Sequence, residues 1–332
     1  MGNATVAALA GILRVPTQEQ ADTLKRWTQT YVAFALMGLD PALNSFQASR
    51  FNKKIFILDT DILLDAVVTD RSRSAAIRTL LAQLQKLGCR LVVPDSVIDE
   101  CVRHAERSIK TYNYFGSTLL QLTPALIDER VWNAFVAGYY YGKKSGRLPP
   151  TVTYERYLSN YFEPKNPRKF FISVVKEVLP DNIEVQALAA IRSEQLEESE
   201  ISQFAERFRA ELTASKKAKY RSEEEEEALA RNDAELFLTA LHLNPPSEMS
   251  KGEVLGGSCY LVTEAVRYTR VARSQGVQAV ITIRPGALAG VQELIGTFDL
   301  TPSDFLQLFE NPFLDAAVGA VWPDVESWSA LA

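Results

Sequence analysis

The feature that most constrains this chain is a strand-helix alternation that begins, stops for more than a hundred residues and then resumes. Two short apolar runs, Lys54 to Leu58 and Leu91 to Val93, are each followed by a helical pattern. The first helix carries Ile77, Leu80, Leu84 and Leu87 and closes at Gly88; the second is capped at Asp95 or Ser96 and carries Val97, Glu100, Cys101 and His104. A parallel strand pair needs a crossover long enough for a helix, so this alternation predicts a parallel sheet. From Ala105 to Arg221 only helical patterns follow, including one from Ile183 to Leu212, broken at Gly142, Gly146, Pro149-Pro150, Pro164, Pro167 and Pro180. Ser222 and Glu225 then form a capping-box pattern that starts a helix running through Leu241. Strand Cys259 to Val262, a helix ending at Gly276 and strand Val277 to Ile283 complete the alternation.

The expected fold is therefore α/β, a parallel sheet interrupted by a large helical insertion. Its divisions are a helical N-terminal extension (1–51), a first core part (52–105), the insertion (106–222), a second core part (223–285) and a C-terminal extension (286–332). A chain of 332 residues with 47% hydrophobic and 23% charged residues can bury the core such a fold requires.

Aspartates at the end of the first strand make this frame chemically informative. Phe56-Ile57-Leu58 runs into Asp59-Thr60-Asp61, and a carboxylate buried there without a partner costs several kcal/mol or becomes neutral. Ligands of parallel sheets bind beyond the carboxyl ends of the strands. The pattern places Asp59 and Asp61, Glu100, and Thr263-Glu264 on that edge, with Asp233 joining them if its helix packs beside the later strand. Asp65 reads as an exposed helix residue. No Lys or Arg stands within these motifs, so the acids point to a hard divalent cation held by oxygen ligands, Mg²⁺ or Mn²⁺. Such a site suits phosphodiester hydrolysis.

Ile57-Leu58-Asp59-Thr60-Asp61-Ile62-Leu63-Leu64, Val93-Pro94-Asp95-Ser96-Val97-Ile98-Asp99-Glu100, Asn232-Asp233-Ala234-Glu235-Leu236 and Leu261-Val262-Thr263 resemble, in order, the motifs of PIN-domain nucleases. The resemblance covers residues 52–105 and 223–285. It implies a three-layer α/β/α fold and metal-dependent cleavage of single-stranded or structured RNA. Asp59, Glu100 and Asp233 would be both the catalytic acids and the metal ligands, and Thr60, Asp61 and Thr263 substrate contacts. Two positions depart from the family: Asp61 stands where Asn or Ser is usual, and the acid of the fourth motif is replaced by Ala265, so that either Glu264, one place early, substitutes as a catalytic acid or the site has three acids and binds one metal more weakly.

The net charge of −5 argues against nonspecific coating of nucleic acid. Residues 105–222 nevertheless carry 18 Lys and Arg against 14 Asp and Glu, a surplus of +4, which leaves −9 for the flanks. Eight of the 12 tyrosines lie between Tyr112 and Tyr161, interleaved with Lys143, Lys144 and Arg147. The aromatic residues Trp132, Phe135, Tyr139, Tyr157 and Phe171 read as the core of a helical subdomain, and the three cations as RNA contacts. A protein partner or a second copy of the chain would also dock through this insertion.

Three unpaired cysteines and two histidines fit a reducing, cytoplasmic setting and exclude a Cys/His zinc site. No membrane segment is expected. Two other readings compete: a PIN-like scaffold without activity, and a haloacid-dehalogenase-type phosphatase, whose Asp-x-Asp motif wants Thr or Val where Leu63 stands.

Overall fold

The computed structural model describes residues 17–26, 51, 53–115, 133–192, 195–214, 222–244, 256–277 and 281–294. The expected segments Leu119 to Leu126, Trp132 and the helices beyond residue 295 lie outside these residues.

Five parallel strands form one sheet in the order β3-β2-β1-β4-β5. They are β1 (Ile55–Leu58), β2 (Arg90–Pro94), β3 (Glu184–Gln186), β4 (Cys259–Val262) and β5 (Thr282–Ile283). The central strands are short and apolar because both their faces are covered, and Phe56, Ile57 and Leu58 are fully buried. Ile57 pairs with Val92 on one side and with Leu261 on the other.

Between β1 and β2 lie α1 (Thr60–Val67) and α2 (Ser74–Lys86), and β2 runs directly into α3 (Asp95–Phe115). Next come α4 (Ala134–Lys144), α5 (Tyr154–Leu158), α6 (Pro167–Val178) and, after β3, α7 (Glu198–Thr213). Helix α8 (Glu223–His242) leads to β4, α9 (Val266–Ser274) to β5, and α10 (Pro285–Leu294) follows.

One expectation fails in an informative way. Ile183 to Leu212 is not a single helix: Glu184–Gln186 is an edge strand paired with β2, followed by a 3-10 turn, and only Glu198–Thr213 is α-helical. Residues 106–222 therefore contribute a strand to the sheet as well as helices. Three residues carry too little periodicity to reveal a strand, and Val92 and Val93 supply the pairing edge that decides it.

The strand order winds outward from β1 in both directions, so the crevice at the carboxyl ends of β1 and β4 is the topological switch point of the sheet. Helix α8 starts at the expected capping box of Ser222 and Glu225 and is held beside that crevice in two ways. Phe204 and Phe208 of α7 pack on Phe237. At its end, the buried Asn244 side chain donates to the carbonyls of Ala240 and Cys259 and accepts from the N-H groups of Ser258 and Cys259. That amide fixes the position of α8 against β4, and with it the position of Asp233.

The tyrosine-rich unit packs as a core, as expected of its aromatics. Tyr140, Tyr154 and Tyr157 are buried, and Tyr112 stacks on Tyr154 with ring centroids 4.3 Å apart. The unit docks at the C-terminal end of α1, where Tyr161 Oη lies 3.2 Å from Thr69 Oγ1. No helix among the described residues is long and apolar enough to cross a membrane.

Candidate functional site

Asp59 stands where β1 ends and α1 begins, and its extended backbone makes it the N-cap of α1. One carboxylate oxygen accepts from the Thr60 N-H at 2.7 Å, and the other from Thr263 Oγ1 at 2.7 Å. Asp61 caps locally as well, taking the Ile62 N-H at 2.7 Å, while its second oxygen accepts the Glu264 N-H at 2.9 Å. The aspartates of the first motif are thus joined to the loop after β4 by hydrogen bonds spanning more than 200 residues.

Glu100, in the second turn of α3, accepts from Thr60 Oγ1 at 2.8 Å and from Asn232 Nδ2 at 3.1 Å. Asp233, the next residue on α8, is 1% exposed. It receives the Arg267 guanidinium in a two-point contact, Nε to Oδ2 at 2.6 Å and Nη2 to Oδ1 at 2.8 Å, and Tyr268 Oη donates to Oδ1 at 2.7 Å. Asp59, Asp61, Glu100 and Asp233 therefore meet at the switch point, delivered by three separate segments.

Crowded carboxyl groups in a poorly solvated site should resist ionisation. Burial raises Asp59, reinforced by the charge of Asp233 and opposed by Arg267. Burial and the neighbouring charge of Asp59 hold Asp61 well above the carboxylate range. Glu100 is pushed up to about 7 by burial and by the charges of Asp59 and Asp233. Burial works against the charge of Arg267, but Asp233 more than offsets it and holds the guanidinium well above its ordinary value. The acids outnumber the cation that faces them.

Arg267 corrects the expectation that no cation lies among the acids. It occupies the first turn of α9, where the helix dipole disfavours positive charge, and that misplacement is the one trace it leaves in the sequence. Removing Arg267 would leave Asp233, which is buried, uncompensated, at a cost of about 3–5 kcal/mol.

Glu264, expected among the catalytic acids, pairs its side chain with Arg73. Arg73 also lies 3.6 Å from Asp65, and Arg71 contacts Asp65 at 2.8 Å. Asp65 is consequently buried at 5% exposure inside an arginine pair, not exposed on its helix. Glu264 still approaches the site through its backbone N-H and through its charge on Asp61.

The three basic candidates of α4 and the following loop lie elsewhere, by the C-terminal end of α1, where Gly142 abuts Asp70. Lys143 Nζ donates to the carbonyls of Pro149 at 2.8 Å and Pro150 at 2.6 Å, which makes it a clamp on its own loop. Arg147 lies over the Tyr141 ring and its charge acts on Asp70. Lys144 is exposed.

The donors suit a hard divalent cation in chemical kind: every candidate ligand atom is a carboxylate, amide or hydroxyl oxygen. Asn232 Oδ1 is buried without a hydrogen-bond partner, on the residue whose Nδ2 holds Glu100, so one oxygen acceptor beside the acids is unused. Among the described residues, no three His, Cys, Asp or Glu side chains stand in an arrangement that would hold a metal ion as they are. Arg267 takes both oxygens of Asp233. No protein-family model, curated protein or solved structure matches the chain.

Proposed function

We propose that this chain is a PIN-like, metal-dependent nuclease that hydrolyses phosphodiester bonds in RNA. One observation carries the reading: Asp59, Glu100 and Asp233, far apart in the chain, are brought together by a parallel sheet at its topological switch point. On this reading, residues 52–105 and 223–285 form a three-layer α/β/α core, and 106–222 are an insertion that also lends it an edge strand.

Asp59, Glu100 and the Asn232 Oδ1 atom would hold Mg²⁺ or Mn²⁺, with Asp233 joining them when Arg267 releases it. A divalent cation there supplies Lewis-acid activation of water and neutralises charge on the phosphate. Thr60 and Asn232 orient Glu100, and Thr263 orients Asp59, so these ligands are held in place before any cation arrives. Asp61 braces the loop after β4 through the Glu264 N-H.

The test is RNA cleavage with Mg²⁺ or Mn²⁺, abolished by chelator and by Asp59→Asn. Asp59→Asn removes a carboxylate whose ionisation burial opposes and keeps a cap acceptor for Thr60, so the variant should remain folded. Undiminished cleavage by folded Asp59→Asn would refute the assignment.

A second reading has its own support. The Arg267–Asp233 and Arg73–Glu264 pairs are what a PIN-like scaffold without activity would use to neutralise its acids. Such a scaffold would neither cleave RNA nor gain thermal stability from Mn²⁺.

A further inference from the structure

We propose that Arg267 is a substrate-released latch: it holds Asp233 away from the cation until a nucleic-acid phosphate takes its place on the guanidinium. The proposal rests on the metal-dependent reading above and specifies how that site is regulated.

Of Asp59, Asp61, Glu100 and Asp233, Asp233 is the one held by a guanidinium. Two guanidinium N-H groups and the Tyr268 hydroxyl fill its oxygens, whereas Asn232 Oδ1 beside it has no partner. As the site stands, the position with an open acceptor lacks its third carboxylate.

The latch can open because of where its two members lie. Asp233 is sealed at 1% side-chain exposure, but the Arg267 side chain is 27% exposed and lies over the Tyr268 ring, 5.1 Å from its centroid. The Arg267 side chain therefore reaches a buried acid while keeping part of its own length in solvent. Its planar fork matches a phosphodiester as well as it matches a carboxylate. A phosphate that reaches the guanidinium competes with Asp233 for the same two N-H donors; loss of the guanidinium frees Oδ2 for the cation and leaves Oδ1 with the Tyr268 hydroxyl alone.

Because the two events share one side chain, they are coupled in both directions. Substrate strengthens cation binding, and the cation strengthens substrate binding by the same factor, on the order of tenfold. Cation binding without nucleic acid should be weak, which restrains the site until RNA is present.

The experiment measures Mn²⁺ affinity by the paramagnetic resonance of free Mn²⁺, with and without a single-stranded phosphorothioate oligonucleotide that resists cleavage. For the parent, the oligonucleotide should tighten Mn²⁺ on the order of tenfold. Arg267→Gln should bind Mn²⁺ more tightly than the parent without oligonucleotide and respond to the oligonucleotide less than about twofold. Arg267→Lys, which keeps the charge but loses the two-point contact, should fall between them and serves if the Gln variant fails to fold. A folded Arg267→Gln or Arg267→Lys that binds Mn²⁺ no better than the parent would overturn the latch. Asp59→Asn separates this failure from that of the underlying site. If Asp59→Asn loses Mn²⁺ while the Arg267 variants gain nothing, the latch alone is wrong. If Asp59→Asn binds as the parent does, the metal site is wrong and the latch falls with it.

Discussion

Replacing Glu100 with Gln should flatten the dependence of stability on pH near neutrality. Burial and the charges of Asp59 and Asp233 move the Glu100 carboxyl from its ordinary 4.5 to about 7. A carboxyl raised on folding favours the folded state when protonated. Its contribution is thus complete below about pH 4.5 and is lost as the pH rises through about 7. At about 1.4 kcal/mol per tenfold in acidity, the full effect is about 3 kcal/mol, of which about 2 kcal/mol disappears between about pH 5.5 and about pH 8. Gln keeps an acceptor for Thr60 Oγ1 and Asn232 Nδ2, so the substitution removes the charge and leaves the hydrogen bonds. It also relieves its acidic neighbours, two of which, Asp59 and Asp61, are themselves held above their ordinary range. Urea unfolding in chelator at the two pH values measures the effect. The parent should lose about 2 kcal/mol more than Glu100→Gln over that interval. Parallel pH profiles for the two proteins would refute the claim that Glu100 is held protonated by its surroundings.

Three further outcomes are expected. Asn244→Ala deletes four hydrogen bonds and leaves backbone groups of α8 and β4 unpaired, so it should cost about 2–4 kcal/mol in urea unfolding. Gly138→Ala, which usually stabilises a helix, should instead destabilise α4 by about 1–3 kcal/mol, because the new Cβ would lie 2.5 Å from Tyr157 Oη and 2.6 Å from Val68 Cγ1; a raised melting temperature would contradict this packing. If the chain binds RNA as proposed, Lys144→Glu should weaken that binding and its salt dependence with the fold unchanged, whereas Lys143→Glu should chiefly loosen the Pro149-Pro150 loop, seen as faster proteolysis there.

Local chemistry made much of this protein legible from its sequence. Apolar runs ending in Asp59 and Pro94 identified two central strands, Ser222 with Glu225 fixed the start of α8, and Cys259 to Val262 marked the third strand of the switch point. These signals lie within a few residues of one another, where hydrophobic period and capping act. The placement of Asp59, Asp61 and Glu100 at one end of the sheet followed from strand polarity, while that of Asp233 waited on where α8 packs.

Only the tertiary structure decided what those acids face. Arg73 meets Glu264 across 191 residues, Thr263 meets Asp59 across 204, and Asn232 meets Glu100 across 132. No local pattern encodes such pairings, because a polar side chain turns toward whatever partner packing brings within reach. For the same reason Asp65 proved buried, Lys143 became a loop clamp, and Glu184–Gln186 became a strand once β2 offered it an edge. The sequence alone determined which residues could carry charge to the site. The fold decided that Arg267 would stand among them, and so whether Asp233 is open to a cation or already taken.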